Sequence, residues 1–399
     1  MDRRGGKESS VVDIVHKLLL EGINQRASDI FIEPQEGELQ IRFRIDGLLH
    51  KFISLPFEMH SKIVSRIKIM GSLDIAEHRL PQDGSFKLKF SNKEVDFRIS
   101  TMPSYLGEKV VLRILDRERF ILDIDKLGID SRSVKLLKEA LAHPHGMVLI
   151  CGPSGCGKTT TLYACIKYVD SVEKNIVTVE DPIEYQLYGI NQVQVKEAYG
   201  LNFASVLRSV LRQDPDVIIV GEIRDSETAE IAIRAALTGH LVLSSLHTTT
   251  STGSLIRLIN MGIDSYLIGS SLLFVGSQAL IRLLCSECKE PYDLPFALLS
   301  QIEQAGYPKE SIPNKIYRSK GCSKCNKSGY FGRIAIMESL FLTPKIREML
   351  EANISEREIR AEARKEGMRT LRGNAFDLLI KGVTSMEEIA RVTGREEAG

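Results

Sequence analysis

Residues 146–162 read GMVLICGPSGCGKTTTL. Met147 to Ile150 is a short apolar run, and Gly152-Pro153-Ser154-Gly155-Cys156-Gly157-Lys158-Thr159 matches the phosphate-loop pattern G-x-x-x-x-G-K-[ST]. Thr160-Thr161-Leu162 then opens a helix-compatible segment. Glycines let consecutive amide N–H groups turn into one cavity at a helix N-terminus, where unpaired donors and the positive dipole end favour phosphate. Gly152 to Thr160 is therefore the expected nucleotide-binding loop, with Lys158 on the β and γ phosphates of ATP and Thr159 on Mg²⁺. Strand, loop, Lys-Thr pair and helix stand in register, which a chance glycine-rich turn does not supply.

Working outward, the same pattern of short apolar runs separated by helical stretches recurs at Ile176 to Val179, Val217 to Val220 and Leu241 to Ser245. Such runs suit strands covered on both faces, hence an α/β fold with a mostly parallel sheet. The sheet's C-terminal edge is the usual ligand crevice, and three of these runs end on polar groups. Glu222 closes Val217–Gly221 and is the expected catalytic base; the alternative is a solvated glutamate at a strand end. Gly221 stands where many phosphate-loop enzymes carry Asp. Glu180, Asp181 and Glu184 follow the Ile176 run, with Pro182 stopping the strand, and can hold Mg²⁺ or its waters or be ordinary loop acids. His247 ends the Leu241 run and can sense the γ phosphate or be a structural histidine.

Upstream, residues 9–23 place apolar side chains at helical spacing and Ser28 to Glu33 turns to strand alternation. Leu39 to Ile45 and Leu48 to Ile53 flank Asp46-Gly47, a hairpin signature. Val95 to Ser100 and Lys109 to Leu115 repeat the alternation, so residues 1–117 read as a small α+β domain. Charged residues around Gly128 suggest a linker over 118–135, and the ATPase core is expected over 136–284. The tail, 336–399, reads as helical, with capping boxes at Ser355-Glu358 and Ser385-Glu388.

Lys and Arg total 53 against 52 Asp and Glu, so net charge gives no argument for a nucleic acid or membrane-surface partner. The first residues, MDRRGGKESS, lead into no apolar stretch of signal-peptide length, which points to a cytoplasmic protein. Ser265 to Ile281 is shorter than the roughly 20 apolar residues of a spanning helix and is diluted by Ser, Gly and Gln, so a buried helix is expected there.

Four of the seven cysteines form two C-x-x-C knuckles, Cys285/Cys288 and Cys322/Cys325. Together they supply tetrahedral S₄ coordination, for which Zn²⁺ is the expected ion, in a module spanning 285–335 with a helical insert at 295–306. A redox C-x-x-C pair needs only one knuckle and a thioredoxin-like setting. Cys151, Cys156 and Cys165 read as packing residues.

Together these stations resemble the secretion ATPase family that includes the type II secretion and type IV pilus assembly motors. Arg79-Leu-Pro-Gln-Asp-Gly84 is similar to its N-terminal signature, Ile176 to Glu184 to its Asp box, Leu211 to Asp225 to its atypical Walker B, and Thr238 to Thr249 to its His box. In that family Gly before the catalytic Glu is normal. The resemblance implies a RecA-like phosphate-loop domain, a preceding PAS-like α+β domain that closes over nucleotide, and a homo-hexamer. It implies that Arg98 and Arg113 reach the phosphates, a role suited to guanidinium's planar fork, although either can be a strand residue in a surface ion pair. It also implies an inner-membrane platform and cytoplasmic-face adaptors as partners, with no membrane insertion and no nucleic acid. Family members usually carry a further N-terminal domain that docks on a membrane-bound partner, whereas this sequence begins at the helix before the nucleotide-covering domain. A tetracysteine zinc module accompanies extension and secretion motors and is absent from retraction motors, which favours assembly. The alternatives are a nucleic-acid-translocating motor and a pilus retraction ATPase.

Overall fold

A computed structural model of the chain describes residues 10–90, 93–116, 121–170, 172–352 and 354–394. The chain divides into two compact units, Met1–Phe120 and Ile121–Gly399.

The first unit contains α1 (Val11–Asn24), β1 (Asp29–Gln35), β2 (Glu38–Ile45), β3 (Leu48–Pro56), α2 (His60–Met70), β4 (Gln82–Phe90), β5 (Lys93–Ser104) and β6 (Gly107–Leu115). Ser10 caps α1 in a reciprocal capping box with Asp13. The strands form one antiparallel sheet in the order β3-β2-β1-β6-β5-β4. Asp46 (φ 49°) and Gly47 (φ 89°) make the two-residue turn between β2 and β3, as the Asp-Gly pair implies. Alternation puts Ile30, Ile41, Phe97 and Leu112 in the core with Leu19 and Ile63 of the helices, and charged residues on the opposite face.

The second unit runs α3 (Ser131–Leu141), β7 (Gly146–Cys151), α4 (Lys158–Val169), β8 (Ile176–Glu180), β9 (Asn191–Gln194), α5 (Phe203–Val210), β10 (Val217–Val220), α6 (Ser226–Leu237), β11 (Leu241–Leu246), α7 (Ser251–Asn260) and α8 (Ser265–Ser271). It continues with β12 (Leu272–Leu284), β13 (Glu290–Asp293), α9 (Phe296–Gln304), β14 (Lys315–Arg318), β15 (Tyr330–Phe341), α10 (Pro344–Glu351), α11 (Glu356–Lys365), α12 (Leu371–Ile380) and α13 (Met386–Thr393). Seven strands lie in the order β15-β12-β7-β11-β10-β8-β9, parallel except for β15. Met147 and Leu149 of β7 enter one core while Val148 and Ile150 enter another across the sheet. Both faces are apolar, which is why these strands read as continuous runs.

Two stretches differ from the sequence reading. The buried helix expected over Ser265–Ile281 ends at Ser271, and the remainder begins β12, buried between β7 and β15. A short apolar run does not distinguish strand from buried helix by period; the neighbouring strands decide it. Within the stretch read as a linker, residues 118–120 lie outside the described residues, Ile124, Leu127 and Ile129 are buried in the second unit's core, and α3 starts at Ser131.

Candidate nucleotide site and tetracysteine cluster

The loop between β7 and α4 has Gly152, Gly155 and Gly157 at φ 146°, 76° and 93°, a region side chains rarely adopt. A Cβ on Gly152 would come 2.4 Å from the Gln278 carbonyl oxygen. The cradle is held from behind by Gln278 of β12, which donates Nε2 to the Cys156 carbonyl (2.8 Å) and accepts the Thr161 hydroxyl at Oε1 (2.7 Å). Lys158 Nζ donates to the Gly152 and Pro153 carbonyls (2.8 and 3.2 Å), so its ammonium already sits over the loop. Burial, opposed by Lys158, pushes the Cys156 thiol up, and burial alone takes Cys165 up to about 12. These thiols and Cys151 are packing groups, not reactive thiolates.

Gln278→Ala leaves a buried carbonyl and a buried hydroxyl unpaired, at about 1–3 kcal/mol each. The expected result is a lower melting temperature together with weaker ATP binding, read by calorimetry and by titration of a fluorescent nucleotide. A variant that binds nucleotide normally removes Gln278 from the cradle.

At the ends of β8, β10 and β11 the expected polar stations converge. A cleft of about 200 Å³ is walled by Ser154, Gly155, Lys158 and Thr159 of the loop and by Glu180, Asp181, Glu184, Glu222 and His247. Gly152, Pro153, Cys156, Gly157 and Thr160 shape the loop behind it. Ser244 and Ser245 of β11 donate to the Val220 and Gly221 carbonyls (2.6 and 2.7 Å), fixing the strand end that carries Glu222. Glu222 Oε2 lies 2.8 Å from His247 Nε2, and Oε1 accepts from Arg224 at 2.5 Å. Arg224 in turn reaches Asp181 at 3.5 Å. Burial acts to raise the Glu222 pKa, but the bonds from Arg224 and His247 outweigh it and hold the carboxyl below its ordinary range.

Glu180 is placed differently from its neighbours. It is buried, accepting from Thr178 Oγ1 (2.5 Å), Gln192 Nε2 (3.0 Å) and the Tyr163 hydroxyl. Burial first, then the Glu180 charge, push the Tyr163 hydroxyl up, so Tyr163 stays a donor. His240 is turned onto the Ala235 carbonyl (3.0 Å) and does not wall the cleft. Sequence reasoning missed Arg224, Gln278, Tyr163 and Gln192. Arg224 stood two residues from Glu222, and Gln278 was the one amide in an apolar run, which were the available signals.

In the first unit Arg98 and Arg113 are direct cross-strand partners of β5 and β6. They alternate with buried Phe97, Ile99, Leu112 and Ile114, so both lie on the sheet's charged face. Asp29, buried in β1, accepts Arg113 Nε at 3.2 Å and pairs with Arg44 Nε at 3.6 Å. Arg113 remains 59% exposed at its side chain.

The two cysteine knuckles meet at one end of the β12–β15 pair. Sγ atoms of Cys285 and Cys322 are 3.8 Å apart, Cys288 and Cys325 3.8 Å, Cys322 and Cys325 3.7 Å, and all four lie within 4.8 Å of one another. A tetrahedral ion with metal–sulfur bonds of about 2.3 Å has sulfur–sulfur edges of about 3.8 Å. The donor set therefore fits a metal. Amides of Gly321, Cys322 and Gly329 point at Cys288 and Cys325 sulfurs (3.2–3.3 Å), as thiolates require. Against burial, the Cys322 and Gly329 amides bring the Cys325 thiol down to about 7, whereas burial, with the neighbouring thiols, takes the Cys288 thiol up to about 12.

The comparisons with known proteins follow the same residues. The family model described as "Type II/IV secretion system protein" matches residues 5–391. The "Type IV pilus assembly ATPase PilB" of Myxococcus xanthus is 45% identical over 388 residues, covering 97% of this chain and 68% of that protein. The "Type II secretion system protein E" of Pseudomonas aeruginosa is 45% identical over 392 residues, covering 98% and 76%. Among solved structures, the pilus retraction motor PilT with bound ADP aligns with a TM-score of 0.62 at 26% identity over 94% of this chain and 95% of that one. The Legionella pneumophila ATPase DotB shares the fold, with a TM-score of 0.69 at 19% identity over 98% and 97% of the two chains. A family match from residue 5 to residue 391, joined by relatives with 45% identity across that span, makes this chain a member of the Type II/IV secretion system protein family.

Proposed function

We propose that the chain is a motor ATPase of a type II secretion or type IV pilus assembly machine, hydrolysing ATP to ADP and phosphate. The observation that carries this reading is the single cleft in which Lys158, Thr159, Glu222 and His247 meet. At about 200 Å³ it is smaller than the 300 Å³ or more of a whole-ligand pocket, so it suits the triphosphate end with the nucleoside beyond it. The Lys158 ammonium leaves the Gly152 and Pro153 carbonyls for the β and γ phosphate oxygens. Glu222, ionised and fixed by Arg224 and His247, orients the attacking water and takes its proton. His247 holds the second Glu222 oxygen and stands at the γ-phosphate side. Thr159, Asp181 and Glu184 offer only oxygen donors, which suits Mg²⁺ or its waters; bound there, Mg²⁺ neutralises charge developing on the phosphates. Glu180 supports that wall from within, its oxygens occupied by Tyr163, Thr178 and Gln192.

Residues 136–284 of the second unit are then the RecA-like core, and the first unit the PAS-like domain that covers nucleotide in a homo-hexamer, with Arg98 and Arg113 as its phosphate-binding pair. Their adjacency across β5 and β6 supports a paired role. Zn²⁺ is the ion proposed for the cysteine cluster, whose module favours assembly over retraction. No helix among the described residues is long and apolar enough to cross a membrane. The proposed location is the cytoplasmic face of the inner membrane, against a platform protein and its adaptors.

The test is phosphate release by the purified full chain with and without single-stranded nucleic acid. Turnover indifferent to the strand is expected; strong stimulation would make a nucleic-acid motor the better reading. Arg98→Ala and Arg113→Ala are each expected to lower kcat, by as much as about 10³-fold for guanidinium acting on a transferring phosphoryl group. The fold is retained, because Asp29 keeps Arg44. Wild-type kcat in both variants sinks the assignment.

A further inference from the structure

Away from the nucleotide cleft, α3, α9, α11, α12 and α13 enclose a groove of about 1340 Å³. Its wall carries Arg132, Arg360, Arg364, Arg369 and Arg372 against one carboxylate, Glu387. In a chain whose formal charge is only +1, this is a local concentration of cations. Arg360 neutralises buried Glu338 at 3.0 Å. The other four have no carboxylate partner among the described residues. Arg132 donates to the Glu366 carbonyl (2.8 Å), Arg369 to the Tyr307 hydroxyl (3.3 Å), and Arg372 to the Gly394 carbonyl (3.1 Å) and Gln301 Oε1 (2.9 Å). Neutral acceptors orient these three guanidiniums and leave their charge uncompensated. Between them half-buried Met386 and Tyr292 supply apolar surface, backed by buried Leu298 and Phe376.

We propose that this groove docks an acidic, partly apolar peptide segment of a partner protein. Its volume exceeds the roughly 300–1,000 Å³ of small-molecule sites. The guanidiniums are spread over α3, α11, the α11–α12 turn and α12, a layout that matches carboxylates spaced along a chain better than one compact phosphate cluster. Leucine-type side chains suit that apolar surface, and carboxylates meet guanidinium forks in bidentate geometry. A nucleic acid strand is less well served, because of the two rings in the lining Phe376 is buried and Tyr292 alone stays half-exposed, too few for a stacking platform. Arg369 lies over Tyr307 at 5.0 Å and Arg372 over Phe376 at 5.7 Å.

The probe is a short fluorescein-labelled peptide of alternating glutamate and leucine, titrated with the full chain and followed by anisotropy, with a lysine–leucine peptide as control. The glutamate peptide is expected to bind, more weakly as salt rises, and the control to fail. Arg364→Glu with Arg369→Glu should weaken binding by about tenfold or more, with ATP turnover unchanged, since neither residue walls the nucleotide cleft. Arg364→Ala removes a side chain with no partner among the described residues and so tests the same point if the double variant misfolds; a measurable loss of affinity is expected. Equal binding by wild type and variants, or by both peptides, overturns the proposal. So does tighter competition by single-stranded DNA or phosphatidylglycerol vesicles than by unlabelled glutamate peptide. Sedimentation showing that charge reversal dissociates the oligomer while peptide affinity stays intact would assign the groove to a second copy of the chain and likewise overturn it.

Discussion

Glu222→Gln is expected to lower ATP turnover by about 10²–10⁴-fold, the range associated with a positioned general base, while nucleotide affinity stays near that of the wild type. The substitution keeps the size of the side chain and can keep an acceptor for Arg224 or His247, so the strand end stapled by Ser244 and Ser245 should not move. What disappears is the charge proposed to take the proton from water. The same geometry sets the pH dependence. Because bonds from Arg224 and His247 hold the Glu222 carboxyl below its ordinary value despite burial, the group is deprotonated at neutral pH. Its contribution is lost only as pH falls through the lowered pKa. The acid limb governed by Glu222 therefore lies below the usual glutamate pKa of about 4.3. Phosphate release from matched preparations, with binding of a fluorescent nucleotide in parallel, checks both statements. Equal rates for the two proteins would falsify the assignment.

Removing the zinc proposed for the cysteine cluster, by a strong chelator or by Cys322→Ser with Cys325→Ser, is expected to unfold the two knuckles and lower the melting temperature by roughly 10 °C or more. Structural zinc contributes about 10–16 kcal/mol of apparent binding free energy in small zinc peptides, and about 1 kcal/mol shifts melting by roughly 2–4 °C in a domain of this size. The knuckles have little else to hold them, whereas the insert is anchored by Leu298, Ile302, Ile312 and Ile316 in a core with Ile281, Phe376 and Leu379. Among the described residues, the cluster packs as its own small group of cysteines, and the adjoining sheet has only the two four-residue strands β13 and β14. No catalytic loss beyond that of unfolding is expected, since four thiolates leave no open position for water. Metal analysis of the purified protein finding no stoichiometric zinc, or an unchanged melting curve after chelation, would remove the metal from the account.

The tail shows how a local rule succeeds and then hands over to packing. Ser355 and Ser385 do cap α11 and α13, accepting the Glu358 and Glu388 amides at 3.4 and 3.3 Å. Ser355 also bonds the Glu358 carboxylate (2.6 Å). Glu388, however, sends its carboxylate to Arg282 of β12 (2.6 Å) and to Arg391, and is fully buried. The three-residue spacing announces the cap. It carries no information about an arginine 106 residues away.

The phosphate loop, the Asp46-Gly47 hairpin, the four apolar strands of the core and the two cysteine knuckles were legible in the sequence because each depends on steric and hydrogen-bonding preferences within a few residues. Only the tertiary structure decided that Leu272–Leu284 is a strand and not a buried helix, that Gln278 braces a cradle 122 residues earlier, and that Glu222 and His247 share a hydrogen bond. Those facts follow from the strand order β15-β12-β7-β11-β10-β8-β9, which sets strands distant in the chain side by side. Local preferences do not encode that order; burying both faces of one sheet in two cores imposes it.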